Sequence, residues 1–307
     1  MSEAPRIFDT RQLQRQRERA SGTARANDFL LQRVADDFAE RLDAVQRRFP
    51  LALDLGSHHG VIGRAIAQRL GTTTVVSADP SPGMLAQCAP PRVLADLEAL
   101  PFDQGVFDLV VSGLSLQLVN DLPGTLLQIR RALKPDGLFL GAVLGGATLH
   151  ELREAFVTAE AEIEGGASPR VAPFADVRDL GGLLQRAGFA LPVVDADVVT
   201  VAYQTPLHLM HEIRGMGAAN MLVERRRTPL RRATLIRAAE IYAERFSRAD
   251  GRVIATFEIL TMTGWAPHDS QQKPLRPGSA KARLADALGV PEQHAGDTTP
   301  ANRAKTE

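Results

Sequence analysis

The sequence predicts an α/β fold built on a doubly wound, mostly parallel seven-stranded sheet with helical insertions, and three observations carry that prediction. Short apolar runs alternate with segments of helical period from residue 51 to 145. The runs are continuously apolar, the pattern of strands covered by helices on both faces. Several end in an aspartate or a glycine, the residues an open parallel sheet places at its ligand-binding edge.

The first 27 residues are polar, arginine-rich and of helical spacing, and are read as an N-terminal arm. A domain over 28–267 follows. It opens with "NDFLLQRVADDFAERLDAVQRRF", where Phe29, Leu30, Val34, Phe38, Leu42 and Val45 recur at helical intervals. Strands are expected at 51–56, 72–79, 92–96, 107–119 and 137–145, with helices near 60–70, 82–88 and 121–133 and another from about 147. The second half is less regular. A helix near 176–187 stops at Gly188, a C-cap residue, before a strand at 191–203. Residues 205–249 read as helices, and 252–266 as a last long strand. From His268 the chain is rich in Pro, Gln, Lys, Gly and Thr and poor in large apolar residues, so 268–307 reads as mostly disordered tail.

Composition narrows the function classes. Lys+Arg and Asp+Glu both number 36, so no global field draws the chain to nucleic acid, and the arginine clusters at 11–25 and 225–237 read as solvated faces. The one cysteine, Cys88, permits no internal disulfide and no multi-cysteine zinc site, and is expected to be buried and inert. No metal site is expected. Neither an apolar stretch long enough to cross a membrane nor a secretory signal is visible, which makes the cytoplasm the default address, with no integral membrane segment.

The first strand, loop and helix carry the chemistry. "LALDLGSHHGVIG" (51–63) places Asp54, Gly56 and Gly60 where nucleotide-binding loops have an acid and glycines, with His58 at the position of a further glycine. Gly56 and Gly60 would let the backbone turn tightly against a ligand. Asp79, ending the second strand, is spaced to accept both hydroxyls of a ribose, and Asp96 ends the third strand at the same sheet edge. A dinucleotide enzyme would use similar residues, so the later motifs must decide.

"ADLEALPFDQGVFDLVVSGLSLQLVNDLPGTLLQIRRALKPDGLFLGAVLG" (95–145) resembles the class I S-adenosylmethionine-dependent methyltransferases, a Rossmann-like superfamily, throughout its length. The resemblance implies S-adenosylmethionine as cofactor in place of NAD, with Asp96 at the adenine amine, Leu97 at its ring edge, and a final antiparallel strand that 252–266 suits. The full expected cofactor set is Asp54, Gly56, Ser57, His58, Gly60, Asp79, Pro80, Met84, Asp96, Leu97 and Ser112. "SLQLVNDLPG", "GGATLHELR", "EGGASPRVAPFADVRDLGGLLQRAGF", "LMHEIRGMGAAN" and "GWAPHDSQQKPLRPGSA" further resemble the arginine hydroxylase family of mitochondrial complex I assembly factor 5 and its bacterial relatives. That implies a protein partner, a NADH dehydrogenase subunit carrying the modified arginine, and a matrix or bacterial cytoplasmic location, of which the bacterial cytoplasm is the one expected here. It also divides the domain into a cofactor half at about 48–146 and substrate-covering helical segments at about 147–188 and 205–249. The carboxyl methyltransferases of biotin synthesis are expected to share the cofactor half alone.

Two departures from that family pattern stand out: His58 replaces a glycine, and Gln117 and Leu118 replace an aromatic pair. A Cβ at residue 58 crowds the methionine end of the cofactor if the backbone there has positive φ; otherwise His58 and His59 face solvent at a loop tip. No His-x-Asp or His-x-Glu pair of the non-haem iron kind occurs, so hydroxylation is implied by the resemblance alone. Candidate chemical residues are Ser115, Gln117, Asn120 and Asp121 after the fourth strand and His150 and Arg153 on the next helix, with Glu151 equally a solvated helix charge. Three functions follow: arginine modification, carboxyl methylation of a small molecule or acyl carrier, or non-catalytic assembly in which the arginine clusters grip a partner.

Overall fold

The computed structural model describes residues 6–68, 74–272 and Gly289. In chain order the elements are α1 (Thr10–Ala20), α2 (Phe29–Asp43), β1 (Leu51–Leu55), α3 (Val61–Ala67), β2 (Thr74–Asp79), α4 (Pro82–Leu85) and β3 (Arg92–Leu94). Then come β4 (Phe107–Gly113), α5 (Leu122–Ala132), β5 (Leu133–Leu144), α6 (His150–Glu164), α7 (Val177–Arg186), β6 (Ala190–Tyr203), α8 (Pro206–Gly215), α9 (Arg232–Phe246) and β7 (Val253–Trp265).

The seven strands form one sheet in the order β3-β2-β1-β4-β5-β7-β6. β7 runs antiparallel to both neighbours; the other pairings are parallel. Leu53 pairs with Val76 on one side and Val110 on the other, so the strand order reverses at β1 and β4, and a crevice opens beyond their carboxyl ends. Successive strand residues point to opposite faces. Ala52, Leu109 and Val111 join the core beneath α2, α3, α6 and α9, whereas Leu53, Leu55 and Val110 join the core beneath α5 and α7. That two-sided burial is why these strands read as unbroken apolar runs.

Several boundaries depart from the sequence reading. The fourth strand ends at Gly113, because the chain leaves the sheet through Leu114 at φ 50° and a short 3-10 turn at Leu116–Leu118. The helix expected at 82–88 is the single turn of α4. The helical reading of 205–249 is interrupted over 216–231, where Gly217 adopts φ 74° and the chain pairs Leu222 with Phe8. Gly217 is required by close approach, since a Cβ there would stand 3.2 Å from both Ala20 Cβ and Arg17 Cα. Glu151 is no solvated charge: it is buried and accepts hydrogen bonds from Thr256 Oγ1 at 2.6 Å and Thr256 N at 3.2 Å, tying α6 to β7. The chain divides at His268 into two units, and most of the expected tail lies outside the described residues. Among the described residues no helix is long and apolar enough to cross a membrane.

Candidate active site

The crevice is shaped by the turn from β1 into α3. Gly56, His58 and Gly60 all have left-handed backbones, with φ of 69°, 48° and 80°. Gly56 has no room for a side chain, because a Cβ there would lie 2.4 Å from Ser115 Oγ. His58 is unusual as a residue with a Cβ in this region, although histidine is enriched there. Its N–H donates to Asp79 Oδ2 at 3.0 Å, and its ring folds into the crevice with Nε2 3.2 Å from Gly113 O and 3.0 Å from Ser115 Oγ. Ser115 donates its own proton to Gly56 O at 3.1 Å, so the ring supplies Nε2–H to both acceptors. Burial first, and then the Arg17 charge, hold this imidazole well below its ordinary pKa, and it is neutral. His58 and His59 are both buried, which corrects the reading of them as a solvent-facing loop tip.

Asp79 stands at the end of β2, fully buried. Its Oδ1 accepts Ser81 N–H at 2.8 Å, and its Oδ2 accepts His58 N–H and lies 3.4 Å from Arg17 Nη1. Burial pushes its pKa up, against the pull of Arg17 and the two backbone donors. Arg17 reaches in from α1, and its Nη2 donates to Ser115 Oγ at 3.0 Å. The arm expected to be a solvated face thus puts a buried guanidinium into the crevice. α1 is moored beside it: Gln14 Nε2 donates to Pro80 O at 3.0 Å, and Glu18 Oε2 accepts Ser81 Oγ–H at 2.7 Å and Gly83 N–H at 2.9 Å. Sequence reasoning missed Arg17. The usable signal was its spacing, since it shares one helix face with the buried Leu13 and Ala20.

The other expected cofactor residues take varied places. Asp54 lies beneath the turn, where Oδ2 accepts Gly63 N–H at 2.9 Å and burial pushes the carboxyl up to about 7. Ser57 Oγ is 3.5 Å from the Cys88 thiol, and Ser112 Oγ donates to Leu55 O at 2.7 Å. Met84 packs against Ala20 and Ala24 of the N-terminal arm. Leu97 is buried, whereas Asp96 is exposed at the end of β3 and accepts Glu98 N–H at 2.9 Å.

Among the candidate chemical residues, the structure brings Ser115 and Gln117 to the cleft and gives others anchoring work. Asn120 Oδ1 accepts Ile7 N–H and Phe8 N–H at 2.9 and 2.8 Å, pinning the start of the arm, and Asp121 caps α5 by accepting Gly124 N–H at 2.8 Å. His150 is exposed on α6, with Nδ1 3.1 Å from Ala147 O, and neither it nor Arg153 reaches the cleft wall. In the arginine cluster at 225–237, Arg225, Arg226 and Arg237 pair with Asp9, Glu164 and Glu162, whereas Arg227, Arg231 and Arg232 are exposed.

Beyond His58 the cleft opens into a chamber of about 470 Å³, walled mostly by leucine, methionine and phenylalanine. Part of its wall comes from beyond residue 146: Arg170, Val171, Ala172 and Phe174, and Arg214 with Met216–Asn220, the two stretches meeting where Asn220 Nδ2 donates to Pro169 O at 2.7 Å. Arg17, Arg170 and Arg214 line it, and no aspartate or glutamate does among the described residues. Gln117 Oε1 is buried there without a hydrogen-bond partner.

Comparison with known proteins agrees with this fold. Residues 53–141 match a methyltransferase-domain family. The zebrafish (Danio rerio) mitochondrial arginine-hydroxylase NDUFAF5 is 43% identical over 290 residues, spanning 91% of this chain and 89% of that protein. The human counterpart is 44% identical over 267 residues, 84% of this chain and 76% of that protein. A malonyl-[acyl-carrier protein] O-methyltransferase of Halorhodospira halophila is 37% identical over 253 residues, 80% of this chain and 84% of that protein. The likeness to that carboxyl methyltransferase therefore runs well past the cofactor half, contrary to the sequence expectation. A solved candidate methyltransferase from Bacillus halodurans shares the fold, with a TM-score of 0.53 and 16% identity over 76% of this chain and 98% of that one. The bacterial cytoplasmic address is corrected by the same comparison, because the arginine-hydroxylase relatives are named as mitochondrial proteins.

Proposed function

We propose, for a chain that belongs to the arginine-hydroxylase NDUFAF5 family within the methyltransferase fold, that it modifies an arginine of a NADH dehydrogenase subunit during assembly of the respiratory complex. It is an S-adenosylmethionine-binding enzyme, and the residues of the cleft fit that cofactor. Gly56 and Gly60 keep two positions of the turn free of side chains with the His58 ring between them, Asp79 is the carboxylate that would take the ribose once Arg17 yields it, and Asp96 stands exposed after β3 where the adenine would lie. The Gly113 carbonyl, now held by a neutral ring, is an acceptor suited to a cationic amine. Bound S-adenosylmethionine supplies a sulfonium-activated methyl group.

The observation that carries the substrate reading is the chamber wall beyond residue 146. "EGGASPRVAPF" and "RGMGAAN", the stretches that set this family apart at the sequence level, wall the space next to the cofactor turn. A reaction on arginine that inserts a hydroxyl takes one oxygen atom of dioxygen into the product and releases the other as water, with two electrons from an external reductant. The chain's part is to exclude water with its leucine and methionine walls and to hold the target beside the cleft. The expected result is that cells lacking this gene assemble less NADH dehydrogenase, and that one arginine in a peripheral-arm subunit loses the mass of one oxygen atom. A normal complex in the deletion strain, with that arginine unmodified in wild type, refutes the reading.

A second reading, methylation of a carboxylate on an acyl carrier or small molecule, is favoured by Arg214 on the chamber wall. Of the three lining arginines, Arg17 pairs with Asp79 and Arg170 with Glu160, which leaves Arg214 to meet an anionic acceptor. Loss of a methyl ester in place of an oxygen would establish that alternative.

A further inference from the structure

The guanidinium of Arg17 pairs with Asp79, the carboxylate that the cofactor assignment gives to the ribose. Asp79 is the one acceptor the sequence offers the two ribose hydroxyls, and its buried carboxylate is filled by Ser81 N–H, His58 N–H and Arg17. The backbone donors are fixed by the turn and by the start of α4. Arg17 alone comes from a separate element and can leave along its own side chain. Its other hold is also replaceable, since Ser115 Oγ already accepts from His58. A buried guanidinium that loses its carboxylate needs another anion close by, because an unpaired buried charge is costly. S-adenosylmethionine brings one with it, the carboxylate of its methionine end.

We propose that Arg17 is an exchange ligand: it pairs with Asp79 in the free protein, gives that carboxylate up to the ribose, and pairs with the cofactor's own carboxylate in the complex. This rests on the cofactor assignment above and on neither reading of the substrate. It makes two demands on a ligand at once. A molecule bearing the ribose but no carboxylate displaces Arg17 and leaves it stranded, so Arg17 works against it. A molecule bearing both rehouses the charge, so Arg17 works for it. α1 stays seated throughout, because its moorings at Pro80, Ser81 and Gly83 are separate from the exchange.

Two probes that differ by one group test this by calorimetry: S-adenosylhomocysteine, and S-adenosyl-3-thiopropylamine, which keeps the adenosine, thioether and amine and lacks only the carboxylate. Wild type should prefer S-adenosylhomocysteine by about ten- to a hundredfold, the worth of a hydrogen-bonded charge pair. In Arg17→Ala, S-adenosylhomocysteine should bind more weakly and the thiopropylamine more tightly, so that the preference collapses toward unity. Arg17→Lys keeps the charge and the fold's ion pair, and should keep part of the preference, which guards against Arg17→Ala failing to fold. A preference unchanged in both variants overturns the exchange, as does equal weakening of both probes. Absence of S-adenosylhomocysteine binding to wild type removes the cofactor assignment as well, whereas binding with an unaltered preference removes the exchange alone.

Discussion

Replacing His58 by glycine should improve cofactor binding while lowering the stability of the free protein, and the two effects have separate origins. In the free protein the ring supplies a hydrogen bond shared by Gly113 O and Ser115 Oγ, worth about 1 kcal/mol, and its loss leaves Gly113 O short of a partner. Glycine also adds chain entropy to the unfolded state, roughly 0.5–1 kcal/mol, offset in part by relief of the left-handed backbone at φ 48°. The net expectation is a free protein less stable by about 1–2 kcal/mol. In the complex, the ring no longer fills the crevice, and the Gly113 carbonyl is open to the cofactor's amine. A hydrogen bond to a charged group is worth about 1.5–3 kcal/mol, so the dissociation constant should fall by about ten- to a hundredfold. Calorimetric titration with S-adenosylhomocysteine measures the second effect and urea unfolding the first. His58→Ala separates ring from backbone: it should recover the tighter binding while keeping the strained φ. Weaker binding in His58→Gly would show that the ring touches the ligand favourably and refute the reasoning.

Asp79→Ala should weaken S-adenosylhomocysteine by about 1.5–3 kcal/mol in the same titration, and unchanged affinity would remove the ribose from β2. Asp54→Asn tests the buried acid beneath the turn. Burial, against the pull of Gly63 N–H, raises its folded pKa to about 7, while the unfolded carboxyl ionises near 3.9. The folded state thus holds a proton that the unfolded state has lost between those values, and stability falls as pH rises through that window, by on the order of 4 kcal/mol. The advantage of Asp54→Asn over wild type in urea midpoints should therefore grow from pH 5 to pH 7.5, and a constant gap would refute the assignment. Glu151→Ala strands the Thr256 N–H and hydroxyl inside the protein and should cost about 1–3 kcal/mol of stability without altering S-adenosylhomocysteine affinity.

The sheet and the strand ends at its crevice were legible because their signals are local. Strands buried on both faces read as unbroken apolar runs, and Asp54, Gly56, Asp79 and Asp96 fall at strand ends whatever the rest of the chain does. The chamber wall beyond residue 146 was legible only through family likeness, since nothing in the spacing of "RGMGAAN" says what it covers. Arg17 was hidden for a different reason. Its partners Asp79 and Ser115 lie 62 and 98 residues away, and an arginine among arginines reads as solvated until tertiary contact buries it. Glu151 misled in the same way. Its acceptors' partner, Thr256, arrives on a strand 105 residues later.

The pairing of the first described residues with the 220s also dictates an order of events at synthesis. Asp9 N–H donates to Met221 O, Val223 N–H donates to Ile7 O, and Arg225 reaches Asp9 across 216 residues. Residues 7–9 meet these partners only after those at 80–83 and 120 that anchor the same arm, and a contact of that sequence span is among the slowest to form. A bulky group fused ahead of residue 7 would act on that late pairing and leave the sheet's own strand pairings untouched.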